Sequence, residues 1–136
     1  MEEQRSDRFA VTVSVGDRAV DVRAVGEVDI ATVGTLRAAL WSAPARPVLR
    51  LHLAGVRLLS AAGVRAVVAA HLRIRAQGGE LVLVEPTPTV LRVLRATGLH
   101  RVVPITGADP TQAIGGGIAG RQRPEQPGDL PVALVA

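Results

Sequence analysis

The chain has 136 residues, of which 48% are hydrophobic and 21% charged, and this length and composition fit a single globular domain. It contains no cysteine, and all 16 basic residues are arginine, so disulfides, thiolate chemistry and reactions that need a lysine are excluded. No apolar run is long enough to span a membrane, and the first eight residues lack the apolar segment of a signal peptide. We therefore expect a cytoplasmic protein with no membrane partner.

The net charge of +4 is concentrated in residues 9–106, which hold 12 arginines against 6 acidic side chains. Phe9 and Trp41 are the two aromatic residues, so the sequence offers no series of rings on which nucleotide bases could stack. The positive charge therefore favours an acidic protein partner, and we expect no nucleic-acid binding.

The predicted elements begin with a β-hairpin. Apolar and polar residues alternate from Phe9 to Val15, Gly16 and Asp17 form a turn signal, and a second strand follows over residues 19–25. Residues 1–8 precede this pattern and are predicted to be a flexible N-terminus.

A first helix is predicted directly after the hairpin. Asp29 or Thr32 is its expected cap, and its apolar residues recur at helical spacing at Ile30, Val33, Leu36 and Leu40. Prolines at positions 44 and 47 end this helix, and the apolar residues over 48–53 then predict a short buried strand that ends at Gly55.

The longest helix is predicted from Ser60 to the glycine pair at positions 78 and 79. Arg65 and Arg73 are expected on its outer face. Its buried face is expected to carry five apolar residues, namely Val64, Val67, Val68, Leu72 and Ile74.

The last predicted elements are a strand, a helix and a short strand. Residues 81–84 are continuously apolar, as in a strand of a parallel sheet, and a helix follows with Val90, Val93, Leu94 and Thr97 on one face. Gly98 ends that helix, and residues 101–105 are predicted to add a final strand. This order predicts one α/β domain over residues 9–106, a mixed β-sheet of about four to five strands packed with amphipathic helices. Residues 107–136 show little periodicity and are predicted to be a disordered tail.

Catalytic and metal sites find little support in the sequence. Ser60 does not lie in a Gly-x-Ser-x-Gly motif, and the three histidines fall on separate elements without carboxylates at ligand spacing. His71 is expected to be a packed core residue, and His100 to lie at the end of the third helix. Gly115, Gly116 and Gly117 are interpreted as a linker. We therefore expect no catalytic residue, no cofactor and no metal ion.

The segment over residues 58–64 is the most informative part of the chain. It joins a buried strand to a helix N-terminus, on the edge where open parallel sheets present their binding loops. Its small residues allow close approach to the backbone, and the free N–H groups of a helix start favour an anion such as phosphate. In the alternative interpretation, Ser60 is an ordinary helix cap, and the small residues serve only to let the helix pack on the sheet.

Five short motifs resemble, in the same order, the STAS domains of bacterial anti-sigma factor antagonists. They are Gly-Glu-Val-Asp at 26–29, Leu-His-Leu at 51–53, Leu-Leu-Ser-Ala-Ala-Gly-Val at 58–64, Gly-Gly-Glu-Leu at 78–81 and Val-Leu-Arg-Ala-Thr-Gly-Leu at 93–99. The resemblance covers about residues 9–105 and implies a single STAS-like domain. It also implies a non-enzymatic regulator that docks onto an anti-sigma factor with a GHKL-type serine kinase fold and so frees a sigma factor.

The resemblance further assigns individual residues. In the family's loop an aspartate precedes the serine that the kinase phosphorylates, and here Ser60 stands in the place of the aspartate and Ala61 in the place of that serine. Either Ser60 accepts phosphate one position early, or the switch has been lost. The implied partner-binding residues are Asp29, Leu59, Ser60, Ala61, Ala62, Gly63, Val64 and Arg65, with Arg65 and Arg73 supplying positive charge.

Two other functions remain open at this stage. A ligand-sensing or scaffold STAS module would bind a nucleotide or a lipid in the same crevice, and assembly would be its output. An enzyme that uses Ser60 has the least support. The expected oligomeric state is a monomer or a weak homodimer.

Overall fold

Strands and helices follow one another largely as the hydrophobic pattern predicts in the computed structural model, which describes residues 2–5 and 8–107. The predicted disordered tail beyond Gly107, with its glycine triplet, lies outside the described residues. The strands are β1 (Glu2–Arg5), β2 (Phe9–Val15), β3 (Ala19–Val28), β4 (Val48–Leu59), β5 (Glu80–Val84) and β6 (Ile105–Thr106). The helices are α1 (Val33–Ser42), α2 (Ala61–Ala76) and α3 (Pro88–Ala96), and Leu99–Arg101 forms a short 3-10 turn.

The six strands form one mixed sheet in the order β1-β2-β3-β4-β5-β6. β1, β2 and β3 pair antiparallel, whereas β3, β4, β5 and β6 pair parallel. Each parallel step passes through a helix, and right-handed crossovers that all lead in one direction put their helices on one face of the sheet. The predicted fold class, an α/β domain with a mixed sheet and amphipathic helices, is confirmed.

One face of the sheet carries the hydrophobic core. Alternate residues of the central strands are buried and pack against apolar residues of all three helices in one cluster, which includes Val11, Val22, Leu51, Leu83, Leu36, Val67 and Leu94. The opposite face carries polar and half-exposed side chains, so the domain has two layers, a helical layer and a sheet.

The N-terminal region and the strand ends differ from the sequence-based expectation. Glu2–Arg5 pairs with β2 as an additional antiparallel strand, where a flexible segment was predicted. β4 continues past Gly55 to Leu59, and the final strand is reduced to Ile105–Thr106 after the 3-10 turn. The hairpin turn at Gly16 and the helix stop at Gly78, whose φ is +83°, are confirmed.

Helix α2 is rotated relative to the predicted orientation. Its buried residues are Gly63, Ala66, Val67, Ala70, His71 and Ile74, whereas Leu72 is 62% exposed, so the prediction that Leu72 packs in the core is wrong. The face of α2 that carries glycine and alanine packs on the sheet, because small residues let a helix approach closely. Val64 and Val68 are partly buried and pack at the side of the core.

A network of charged side chains lies on the open face of the sheet. Asp21 on β3 accepts two hydrogen bonds from Arg50 on β4, at 2.7 and 3.0 Å, and its Oδ1 lies 2.7 Å from Nε2 of His52. The Arg50 guanidinium, with a smaller contribution from His52 and against the effect of partial burial, lowers the pKa of Asp21 to about 2. The Asp21 carboxylate therefore favours the folded state wherever it is ionised.

We expect Asp21→Asn to lower the free energy of unfolding by about 1 to 2 kcal/mol at pH 7. The folded-state pKa of Asp21 is lowered, so this contribution is present above about pH 4 and is lost as the pH falls towards 2. Urea denaturation of both proteins from pH 7 to pH 2 measures it. Asp17→Asn, in the exposed hairpin turn, is the matched control, and a stability difference for Asp21→Asn that stays constant down to pH 2 would contradict the argument.

Candidate functional site

The loops that follow β3, β4 and β5 lie at one edge of the sheet, since the carboxyl ends of parallel strands share an edge. The backbone N–H of Ser60 donates to the carbonyl of Val28 at 2.9 Å, which holds the loop after β4 against the end of β3. The Thr87 hydroxyl donates to the carbonyl of Val56 at 3.1 Å and ties the third loop to β4. This edge is where the sequence predicts a binding loop.

Ser60 is the N-cap residue of α2. Its backbone is extended, with φ −83° and ψ 176°, and its Oγ accepts a long hydrogen bond of 3.5 Å from the N–H of Gly63. Ser60 is half-buried, whereas Ala61, the first residue of the helix, is exposed. The side chain at position 61 is therefore presented to solvent, and the hydroxyl of Ser60 is turned towards the helix start.

Two of the predicted partner-binding residues, Leu59 and Gly63, face the interior. Leu59 is 3% exposed, and Gly63 is buried beneath the first turn of α2. A Cβ atom at position 63 would lie 2.5 Å from Cδ1 of Leu59 and 2.8 Å from Cγ1 of Val28. These two residues hold the loop close to the sheet, and the neighbouring residues Ala61, Ala62 and Arg65 form its outer surface.

Asp29 lies beside this loop and is engaged within the protein. Its carboxylate accepts hydrogen bonds from Arg8 at 2.7 and 3.3 Å and from the backbone N–H groups of Ala31 and Thr32. The Arg8 guanidinium holds the pKa of Asp29 below its usual range, with help from the backbone N–H groups. Arg8 also bonds Glu27 at 2.8 Å, so one arginine anchors both acidic residues at the end of β3.

Ile30 lies outside the helix in which the hydrophobic spacing predicts it. It was predicted in the buried stripe of the first helix, but α1 begins at Val33 and Ile30 is 79% exposed. Thr32, one of the two expected caps, is the N-cap residue, so Ile30 lies in the loop before the helix, where helical spacing does not determine which side chains are buried. An exposed isoleucine therefore lies two residues beyond Val28, the residue that bonds Ser60.

The two arginines expected to act together lie in different environments. Arg65 is exposed in the second turn of α2, next to the loop. Arg73 lies two turns further along, with its guanidinium 5.7 Å from the centroid of the Trp41 ring, and Arg37 lies 4.6 Å from the same centroid. Of these two arginines, only Arg65 lies next to the loop that joins β4 to α2.

The three histidines occupy three separate environments. His52 contacts Asp21 on the open face of the sheet, and Nδ1 of His100 lies 3.3 Å from the carbonyl of Leu94 at the end of α3. His71 is buried in α2, and its Nδ1 has no hydrogen-bond partner among the described residues. No three metal-ligating side chains are grouped within residues 8–107.

Comparisons with known proteins match this chain to one family. The family model of the STAS domain matches residues 10–110. None of the curated protein sequences compared with the chain matches it. In the part of the chain that the structure describes, no helix has the length and apolar character needed to cross a bilayer.

Solved structures of anti-sigma factor antagonists share the fold. An antagonist from Mycobacterium paratuberculosis is 23% identical with a TM-score of 0.68, and the match covers 82% of this chain and 96% of that one. Unphosphorylated SpoIIAA, an anti-sigma factor antagonist, is 25% identical with a TM-score of 0.61, covering 76% and 92%. SpoIIAA in its phosphorylated form, described as a Bacillus cell fate determinant, is 24% identical with a TM-score of 0.58, covering 77% and 96%.

Proposed function

The chain belongs to the STAS domain family, and we propose on that premise that it is an anti-sigma factor antagonist. It acts as a non-enzymatic cytoplasmic regulator that binds an anti-sigma factor with a GHKL-type kinase fold and thereby frees a sigma factor. The family match over residues 10–110 and the likeness to solved antagonists support the general role. The geometry of the loop edge supports the choice of docking surface.

The observation that carries this proposal is an exposed apolar side chain beside the loop. Ile30 is 79% exposed, and it lies two residues after Val28, whose carbonyl accepts a hydrogen bond from the N–H of Ser60 in the loop before Ala61 and Ala62. An exposed isoleucine near a loop of small residues suits a protein partner, because the isoleucine can fill a pocket on that partner while the small residues let the partner approach the backbone. Arg65 borders this surface and favours an acidic rim on the partner.

The proposed antagonist is not controlled by phosphorylation of this loop. Ala61 has no hydroxyl, and Ser60 is half-buried with its oxygen turned towards the N–H of Gly63. Phosphorylation of Ser60 has to break the helix cap, at a cost of about 1 kcal/mol, before the phosphate can repel a partner. The protein thus corresponds to an antagonist that stays in its binding-competent form.

Reconstituted transcription tests the function directly. A sigma factor, RNA polymerase and a cognate anti-sigma factor of the GHKL type are mixed so that transcription is inhibited, and this protein is then added. We expect transcription to recover with a stoichiometric dose and a complex with the anti-sigma factor to appear by sedimentation. If no GHKL-type protein of the same cell binds, while a nucleotide or lipid titration gives saturable binding, the ligand-sensing alternative replaces the proposal.

We expect Ile30→Asp to weaken binding to the anti-sigma factor by about 10- to 100-fold, the effect of removing one buried apolar anchor from an interface. The substitution leaves the fold intact, since position 30 precedes the cap of α1 and contributes nothing to the core. Isothermal titration calorimetry measures the affinity. Val102→Asp is the matched control, because Val102 is also exposed but follows the 3-10 turn after α3, outside the loops that follow β3 and β4. Equal affinity for the wild type and the Ile30→Asp protein would place the interface elsewhere.

A further inference from the structure

The helical layer of the domain is positively charged throughout. Its three helices carry Arg37, Arg65, Arg73, Arg75, Arg92 and Arg95 and not one aspartate or glutamate. The acidic residues of the range 8–107 all lie on strands or in loops. The helical layer therefore presents a one-sided positive field, which attracts an acidic partner.

Within this layer two arginine side chains from different helices converge on one indole ring. Arg37 lies four residues before Trp41 on α1, and Arg73 reaches the same indole ring from α2, so both guanidinium carbons lie within 5.7 Å of its centroid. Trp41 packs partly against the core, and the exposed Leu72 neighbours Arg73 on α2. We call Arg37, Trp41, Leu72 and Arg73 the Arg–Trp patch.

The two guanidinium groups of the patch are held against the Trp41 ring and pair with no acidic side chain of residues 8–107. Neither Arg37 nor Arg73 has a carboxylate partner within the residues that the structure describes. The cation–π contacts with the indole ring restrict both side chains before any ligand arrives, which reduces the entropy lost on binding. A guanidinium presents its N–H donors in a planar fork that matches the two oxygens of a carboxylate.

We propose that the Arg–Trp patch binds an acidic polypeptide segment of a partner protein. Two carboxylates of that segment bond Arg37 and Arg73, and an apolar side chain between them contacts Leu72 and the edge of Trp41. Arg73 lies 13 residues after Ser60, which corresponds to about 20 Å along the axis of α2. The patch is therefore a second surface, and it does not depend on the docking loop described above.

The composition of the patch favours a polypeptide over a nucleic acid. A site for nucleotide bases needs several exposed ring faces, but Trp41 already has guanidinium groups over its ring, and Phe9, the other aromatic residue, is buried. Leu72 is 62% exposed and offers an apolar contact that a phosphate backbone does not use. An acidic segment with leucine side chains offers carboxylates to the two arginines of the patch and apolar contacts to Leu72 and Trp41.

Trp41 is the single tryptophan of the chain, so its fluorescence reports on the patch itself. The probe is a short synthetic peptide of Asp, Glu and Leu, titrated into the full-length protein. We expect saturable change in Trp41 emission, and an affinity that falls with added salt. No change in emission and no binding of the labelled peptide by anisotropy would overturn the proposal. The proposal would also be overturned if the protein bound a single-stranded oligonucleotide or anionic lipid vesicles more tightly than it bound the acidic peptide.

Charge-neutral variants locate the binding. Arg37→Gln and Arg73→Gln should each weaken peptide binding by about fivefold or more, in line with the loss of one charge-assisted contact. Arg92→Gln is the matched control, because it removes the same charge from α3 of the same helical layer and should change affinity less than twofold. An equal loss of peptide affinity in the Arg92→Gln protein would show that the peptide is attracted to the whole helical layer, and this would contradict a defined patch. Ile30→Asp should leave peptide binding unchanged, which separates this test from that of the proposed function.

Discussion

Gly63→Val is expected to lower the free energy of unfolding by about 3 kcal/mol, because inserting bulk into a packed core displaces its neighbours. A Cβ atom alone would come within 2.8 Å of Leu59 and Val28 side-chain atoms, and both side chains are buried. For a domain of this size the loss corresponds to a fall in melting temperature of about 15 °C. Thermal unfolding followed by circular dichroism measures it.

Gly34→Val is the matched control for this prediction. Gly34 lies in α1, where an added Cβ would meet nothing within 4 Å, so valine there should change the stability by no more than about 0.5 kcal/mol. The comparison also decides the role of Gly63. If Gly63→Val kept the melting temperature of the wild type and lost affinity for the anti-sigma factor, the glycine would make room for the partner and not for the sheet.

The order of strands and helices along the chain from β2 onwards could be predicted from the sequence, because the alternation of side chains and the buried apolar runs are local signals. The extent of β4 could not. Gly55 was interpreted as the end of that strand, whereas it lies inside it, at one of two register shifts between β3 and β4. An added Cβ at position 55 would lie 3.3 Å from the carbonyl oxygen of Ala24 and 3.4 Å from Cα of Val25, so the glycine marks a close approach of two backbones at an irregularity of the pairing.

The orientation of α2 was missed for a related reason. Hydropathy predicts that Val64, Val68 and Leu72 lie on the buried face of the helix. The helix instead packs on the sheet through Gly63, Ala66 and Ala70. Close packing depends on the size of the side chain as well as on its hydropathy, and a one-dimensional pattern does not contain the shape of the opposing sheet.

The position of the 58–64 motif in the fold could be predicted from the sequence, because the motif joins β4 to α2 as the hydrophobic pattern indicates. The role of each side chain depends on long-range contacts, which the sequence does not show. Arg8 donates a hydrogen bond to Asp29, Arg50 donates one to Asp21, and Arg73 contacts the ring of Trp41. The partners in each pair are 21 or more residues apart in the sequence. Sequence spacing carries no information on such pairs unless the three-dimensional register is known.

Ala61→Ser is expected to convert the protein into a substrate of its partner kinase. Ala61 is exposed at the first position of α2, so a serine hydroxyl there is presented to solvent, unlike the hydroxyl of Ser60. The helix dipole stabilises a phosphate at this end, so the modified protein stays folded. The phosphate adds bulk and nearly two negative charges at the centre of the proposed docking surface, and we expect binding to the anti-sigma factor to weaken by at least about tenfold.

Incubation of each protein with the cognate kinase and ATP, followed by mass spectrometry, measures this outcome. The wild type should take up no phosphate, Ala61→Ser should take up one phosphate at position 61, and the double variant Ser60→Ala, Ala61→Ser should behave like Ala61→Ser. Stoichiometric phosphate on Ser60 of the wild type, with loss of binding, would show that the acceptor has moved by one residue. Uptake by neither protein, in spite of a stable complex, would mean that the loop does not enter the kinase active site, because an exposed hydroxyl at a docked loop is otherwise accessible to phosphoryl transfer.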